Sequence, residues 1–111
     1  MAASDFDPEL ERLRERSIVR LLSADVFDAA AFDQLYDYLA SKADEIKQEH
    51  VVSKQVVSCL LAVEGPIRSQ ADYLPAAREG IPLIAKFAML LGLIAIGESP
   101  RDREAGQPRI I

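Results

Sequence analysis

His50 is the only histidine in the chain and Cys59 the only cysteine, so acid–base or nucleophilic chemistry would have to start from one of them. Helical metal sites space a carboxylate and a histidine three or four residues apart, which puts both on one face. Around His50 those positions hold Ile46, Lys47, Ser53 and Lys54, and the expectation is a surface histidine in a turn. Cys59 stands beside Leu60 and Leu61. A thiol in such company behaves as a small hydrophobe, whereas a nucleophile needs a base and positive surroundings. One cysteine also excludes an intrachain disulfide framework and a cysteine-based zinc site. Asp25 and Asp28 flank Val26 and Phe27 and could approach a cation. The spacing is not that of an EF-hand, and Asp28 is as well explained as a helix cap. No Gly-rich phosphate loop, nucleophile elbow or dinucleotide fingerprint is present. The chain is therefore expected to be no enzyme, with no cofactor and no metal.

Charged rows remain as candidates for recognition. Arg12, Arg16 and Arg20 recur every four residues and could grip phosphates or acidic side chains, although Glu9, Glu11 and Glu15 stand beside them. Asp33, Asp37 and Asp44 form an acidic counterpart. These six are the expected contacts to a protein partner, setting orientation more than affinity, because exposed ion pairs contribute only about 0–1 kcal/mol each. A formal charge of −5 and an isoelectric point near 4.8 speak against nucleic acid, whose binders carry a basic face. A helix-turn-helix reading of Gln55 to Leu74 meets the same objection. MAASDFDPELE has no basic and apolar leader, and a cytoplasmic protein is expected. No family resemblance can be tied to particular residues.

The elements that must carry these groups are helices. Half of the 111 residues are hydrophobic, only 6% are aromatic, and Asn, Thr and Trp are absent, which favours helix over strand. Asp7-Pro8 makes a helix start, with Leu10, Leu13, Ile18, Leu21 and Leu22 as the apolar stripe to about residue 22. Asp28 can cap a second helix from Ala29, striped by Phe32, Leu35, Tyr36, Leu39, Ala43 and Ile46. Ser53 can cap a third. Val56, Leu60, Val63, Ile67, Ala71 and Leu74 hold one helical phase across Gly65-Pro66, so one helix to about Leu74 is expected, bent where Pro66 cannot donate to the Ala62 carbonyl. Two shorter helices meeting near Gly65 are the alternative.

Ile81 to Gly97 reads IPLIAKFAMLLGLIAIG, and Lys86 is its only charged residue. Pro82 suits a first turn, while Gly97 and Pro100 form a stop. Ala85, Ala88, Gly92 and Ala95 make a ridge of small residues, expected to be a close-packed seam between helices. The fold expected is all-α, a bundle of about four helices over residues 1–97 with a flexible tail at 98–111, in which Ile110 and Ile111 form an apolar end.

A helix apolar on every side leaves a bundle with an uncovered face, which soluble monomers rarely tolerate. A homo-oligomer, most simply a dimer, removes the conflict, with Phe87, Ala88, Met89, Leu90, Leu91 and Gly92 at the interface. The function expected is a soluble helical interaction or regulatory module acting as that oligomer. Two alternatives use the same helix: a membrane anchor over 81–97, or a carrier whose aliphatic core admits an apolar ligand.

Overall fold

The computed structural model describes residues 6–103, which are mostly helical, with no strand among them. The order is α1 (Pro8–Arg14), a π-helical turn (Glu15–Val19), α2 (Arg20–Ala24), α3 (Ala29–Ile46), α4 (Lys54–Leu61), α5 (Glu64–Ala71), α6 (Pro75–Arg78), α7 (Ile81–Ala95) and a 3-10 turn (Pro100–Arg103). Ile110 and Ile111 lie outside the described residues.

The caps act where the side-chain chemistry puts them. Asp7 Oδ1 accepts from the N–H groups of Glu9 and Leu10, both at 3.1 Å. Asp28 accepts from Ala31 and Ser53 from Val56, again at 3.1 Å. Each satisfies helix-start donors that have no intrahelical partner. At the far end of α7, Gly97 turns left-handed at φ 75. Glu98 N–H then donates to Leu93 and Gly97 N–H to Ile94, the paired bonds of a Schellman stop.

α1, the π turn and α2 form one continuous helical path. Its buried apolar residues, Leu10, Leu13, Ile18 and Leu21, jump by five from Leu13 to Ile18, and the wide turn absorbs the extra residue. Ser17 sits inside that turn and its hydroxyl donates to the Leu13 carbonyl at 2.7 Å.

The long third helix is divided at Ala62–Val63 into α4 and α5. Pro66 consequently falls in the first turn of α5, where its missing N–H has no intrahelical role. The apolar phase survives the division, since Val56, Leu60, Val63 and Ile67 are all buried. Arg78 on α6 then closes the end of α5, donating to the carbonyls of Ala71 (2.7 Å) and Asp72 (3.2 Å).

α3 packs against α1 and α7, and α7 packs against α4 and α5. The molecule measures 45 × 33 × 18 Å, a thickness that admits about two layers of helices at 8–10 Å spacing. One core fills the space between them, centred on Phe32, Leu35, Leu39, Ile67, Phe87 and Leu90. Gly80 allows the Phe27 ring to rest on the start of α7, because a Cβ there would stand 2.6 Å from the ring edge; Phe27 in turn stacks on Phe32.

Two further features differ from expectation. Residues 98–103, the first part of the expected tail, are folded back on α3 by the 3-10 turn. The ridge Ala85, Ala88, Gly92 and Ala95 is no seam within the chain, for all four face solvent.

Candidate functional site

The residues with chemistry are scattered. His50 is exposed in the 47–53 connection, beside a surface hollow closed on its other side by Ile94 to Gly97. Cys59 is buried on the inner side of α4, and burial pushes its thiol up to about 11 despite the attraction of Arg14. A thiol in that state stays protonated near neutrality and is a poor nucleophile. Asp25 occupies a left-handed position after α2, and Asp28 caps α3. Among the described residues no three His, Cys, Asp or Glu side chains gather where they could hold a metal ion.

The charged rows do not meet as rows. Arg12 bonds Glu9 on its own helix and Arg20 reaches Asp28 at 3.5 Å. Arg16, Asp33 and Asp37 are exposed and make no ion pair among the described residues. Asp44 is engaged inside the chain. Its Oδ1 accepts from the Ser99 hydroxyl at 2.9 Å and from Lys47 at 3.2 Å, and Lys47 also bonds Asp102 at 3.2 Å. Asp102 Oδ2 accepts the Ser99 N–H at 3.0 Å while the Asp102 N–H donates to the Ser99 carbonyl at 3.0 Å, so the Asp102 side chain closes the start of the 3-10 turn. The Ser99 hydroxyl, followed by Lys47, holds Asp44 below its ordinary pKa; the Ser99 N–H, followed by Lys47, does so for Asp102. That Ser-x-x-Asp spacing was the sequence signal for the folded-back segment.

A second polar cluster ties α1 to α3 and α4. Asp7 Oδ2 accepts from the Tyr38 hydroxyl at 2.5 Å and from Lys42 at 3.1 Å. Gln55 meets the Asp7 backbone twice, accepting its N–H and donating to its carbonyl, each at 2.8 Å. Burial by itself would raise the Asp7 carboxyl, but the bonds from Tyr38, the Leu10 N–H and Lys42 outweigh it and leave the pKa below 3.8. For Tyr38, burial and then the Asp7 carboxylate raise the hydroxyl pKa. Every polar group in this cluster points at another, which makes it a clasp.

The apolar surface is different in kind. Of the six residues expected at an oligomer interface, Phe87 and Leu90 are fully enclosed by the chain's own core. Their placement follows from α7 having a true inner face, with Tyr36 meeting the Phe87 ring edge-on at 5.5 Å. Leu91 is half-buried, while Ala88, Met89 and Gly92 face outward. Met89 is 70% exposed, and Gly92 has open space beside it. Lys86, the one charge of α7, lies over the Tyr36 ring at 4.2 Å, drawn aside by a cation–π contact. Next to this face, a hollow of about 110 Å³ opens between α4 and α7, bounded by Leu61, Ile84, Ala88 and Leu91. Leu61 is 64% exposed. It was missed because it lies off the helical stripe of Val56, Leu60 and Val63; an apolar residue on the wrong side of that stripe was the available signal.

α7 has 15 residues, about 22 Å of helix, against a hydrocarbon core of about 30 Å. Among the described residues no helix is long and apolar enough to cross a membrane. Anchoring through this helix would also withdraw Phe87 and Leu90 from the core. No protein-family model matches the chain, and comparison with curated proteins and with solved structures gives no match.

Proposed function

We propose that this chain is a helical protein-interaction module that works as a homo-oligomer, with a dimer the simplest form and the outer face of α7 as its contact surface. The observation carrying this reading is Met89, a large apolar side chain 70% exposed on a helix face whose only charge is folded onto Tyr36. Such faces on soluble proteins mark contact sites. A second copy suits it because one patch offers both projections, Met89 and Leu61, and recesses, at Gly92 and beside Ala88. A two-fold contact requires that self-complementarity. The role is binding without catalysis, and a cytoplasmic setting fits the net charge of −5 and the single buried cysteine. Arg16, Asp33 and Asp37 are the charged groups left to meet a different protein.

Light scattering without detergent tests the reading. The native chain is expected at twice its 12.2 kDa mass, and Met89→Glu at the single-chain mass with unchanged helix content. A native chain that keeps the single-chain mass at every concentration refutes it.

A further inference from the structure

We infer that the hollow between the end of α3 and the end of α7 is a binding site for a small organic cation, an ammonium group carrying a short aliphatic body. The site is independent of the homo-oligomer contact. Its volume is about 510 Å³, inside the range of about 300–1,000 Å³ usual for ligand sites. One wall is formed by residues 46–52 and the other by 94–97.

Two helices bring their C-termini to this hollow. α3 ends at Ile46 and α7 at Ala95, and both residues line it. Each such end carries the negative pole of its helix, equivalent to roughly half an elementary charge, and the last carbonyls of a helix have no intrahelical donor. Among the described residues no backbone N–H donates to the carbonyls of Ala95, Ile96 or Lys47. The two ends abut, since a Cβ on Gly97 would stand 3.1 Å from the Lys47 carbonyl oxygen. Neither helix has a basic side chain in its last turn. Lys47 follows α3, but its ammonium is turned to Asp44 and Asp102 at 3.2 Å each, acids outside the lining. Glu49 lines the hollow, is exposed, and makes no ion pair among the described residues. Neutral His50 adds an acceptor nitrogen. One unmatched carboxylate and two negative helix poles therefore face a space whose lysine is already matched.

The apolar lining decides which cation suits it. Val51 on one wall is 58% exposed and Ile96 on the other 62%, and Ile46 and Ile94 line the hollow with them. A hydrated metal ion gains nothing from such walls, whereas an alkyl chain covers them. Among the described residues no group of His, Cys, Asp or Glu gathers to hold a metal ion.

Titration of the native chain with n-butylammonium, followed by nuclear magnetic resonance, tests the site. The amide signals of residues 46–52 and 94–97 are expected to shift and saturate with a Kd on the order of 1 mM. Butyrate and n-butanol, of similar length without the positive charge, should bind at least about fivefold more weakly. Glu49→Gln should weaken n-butylammonium about fivefold with unchanged helix content, and Ile96→Ala about threefold. Met89→Ala, which tests the homo-oligomer contact, should leave the Kd unchanged. Nα-acetyl-lysine amide separates the two sources of such a group: tighter binding than n-butylammonium marks a lysine side chain of another protein, and weaker binding a free amine. Butanol as tight as n-butylammonium, a Kd unmoved by Glu49→Gln, or no saturable shift in the two segments overturns the inference, whatever the oligomeric state.

Discussion

The two long faces of this molecule treat their side chains in opposite ways. On α3, the groups that reach neighbouring elements are matched within the chain. Asp7, Tyr38, Lys42 and Gln55 close one cluster, and Asp44, Lys47, Ser99 and Asp102 close another. On α4 and α7, Leu61 and Met89 stand exposed, with no covering element among the described residues. A polar cluster is complete once each donor has its acceptor, and it then offers a partner little. An apolar side chain is satisfied only by area. The difference puts the exposed apolar area on α4 and α7 and the matched polar groups on α3.

The contrast is sharpest within α7, where Phe87 and Met89 are two residues apart on opposite faces. Phe87→Ala should be the most damaging change, costing about 3–5 kcal/mol through lost burial and a cavity. Tyr36 would lose its edge-on ring contact in the same step. Denaturant unfolding of the isolated chain reads this directly, and a loss under about 1 kcal/mol would mean that the core can close without the ring. Leu90 belongs to the same class. A charge introduced there would report on folding, whereas Met89 can report on association.

The Asp7 clasp should respond next, and to pH. Asp7→Ala removes a helix cap and strands the Tyr38 hydroxyl, together about 2–3 kcal/mol. The pKa of Asp7 is held below 3.8 in the folded chain, so the carboxylate form is the one folding favours. Its contribution is full above the ordinary value and is lost as pH falls from there through the lower folded value. Native chain and variant should therefore differ most at neutral pH and converge below about pH 3.8. A gap that persists unchanged in acid would show that the aspartate acts through shape and not charge.

How much of this was legible in the sequence follows from range. The caps at Asp7, Asp28 and Ser53 and the stop at Gly97 are local chemistry, and each functions where its residue type indicates. The stripe from Phe32 to Ala43 is likewise local, and the helix holding it begins at Ala29. The π turn was visible only as a five-residue jump between Leu13 and Ile18, which a reading by threes and fours passes over. Asp44 reads as a surface acid until residues 98–103 return to it, a contact fixed by tertiary structure. α7 reads as apolar all round, and nothing in its composition says that Phe87 and Leu90 turn inward while Met89 turns out. That choice belongs to Tyr36, the packing of α3 and the hollow beside α4.

The smallest expected effect separates the two faces most cleanly. In dilute solution Met89→Ala should change the stability of the single chain by no more than about 0.5 kcal/mol, as exposed substitutions generally do. Association adds stability by mass action, so the native melting temperature should rise with protein concentration. Met89→Ala should flatten that rise while leaving the dilute limit in place. Phe87→Ala should instead lower the dilute limit itself. Melting curves across a hundredfold range of concentration distinguish these outcomes, because a side chain serving only the fold shifts every curve and one serving only the contact shifts the concentrated ones. If Met89→Ala lowers all the curves equally, Met89 acts within its own chain, and the uncovered face of α7 is not where a second copy binds.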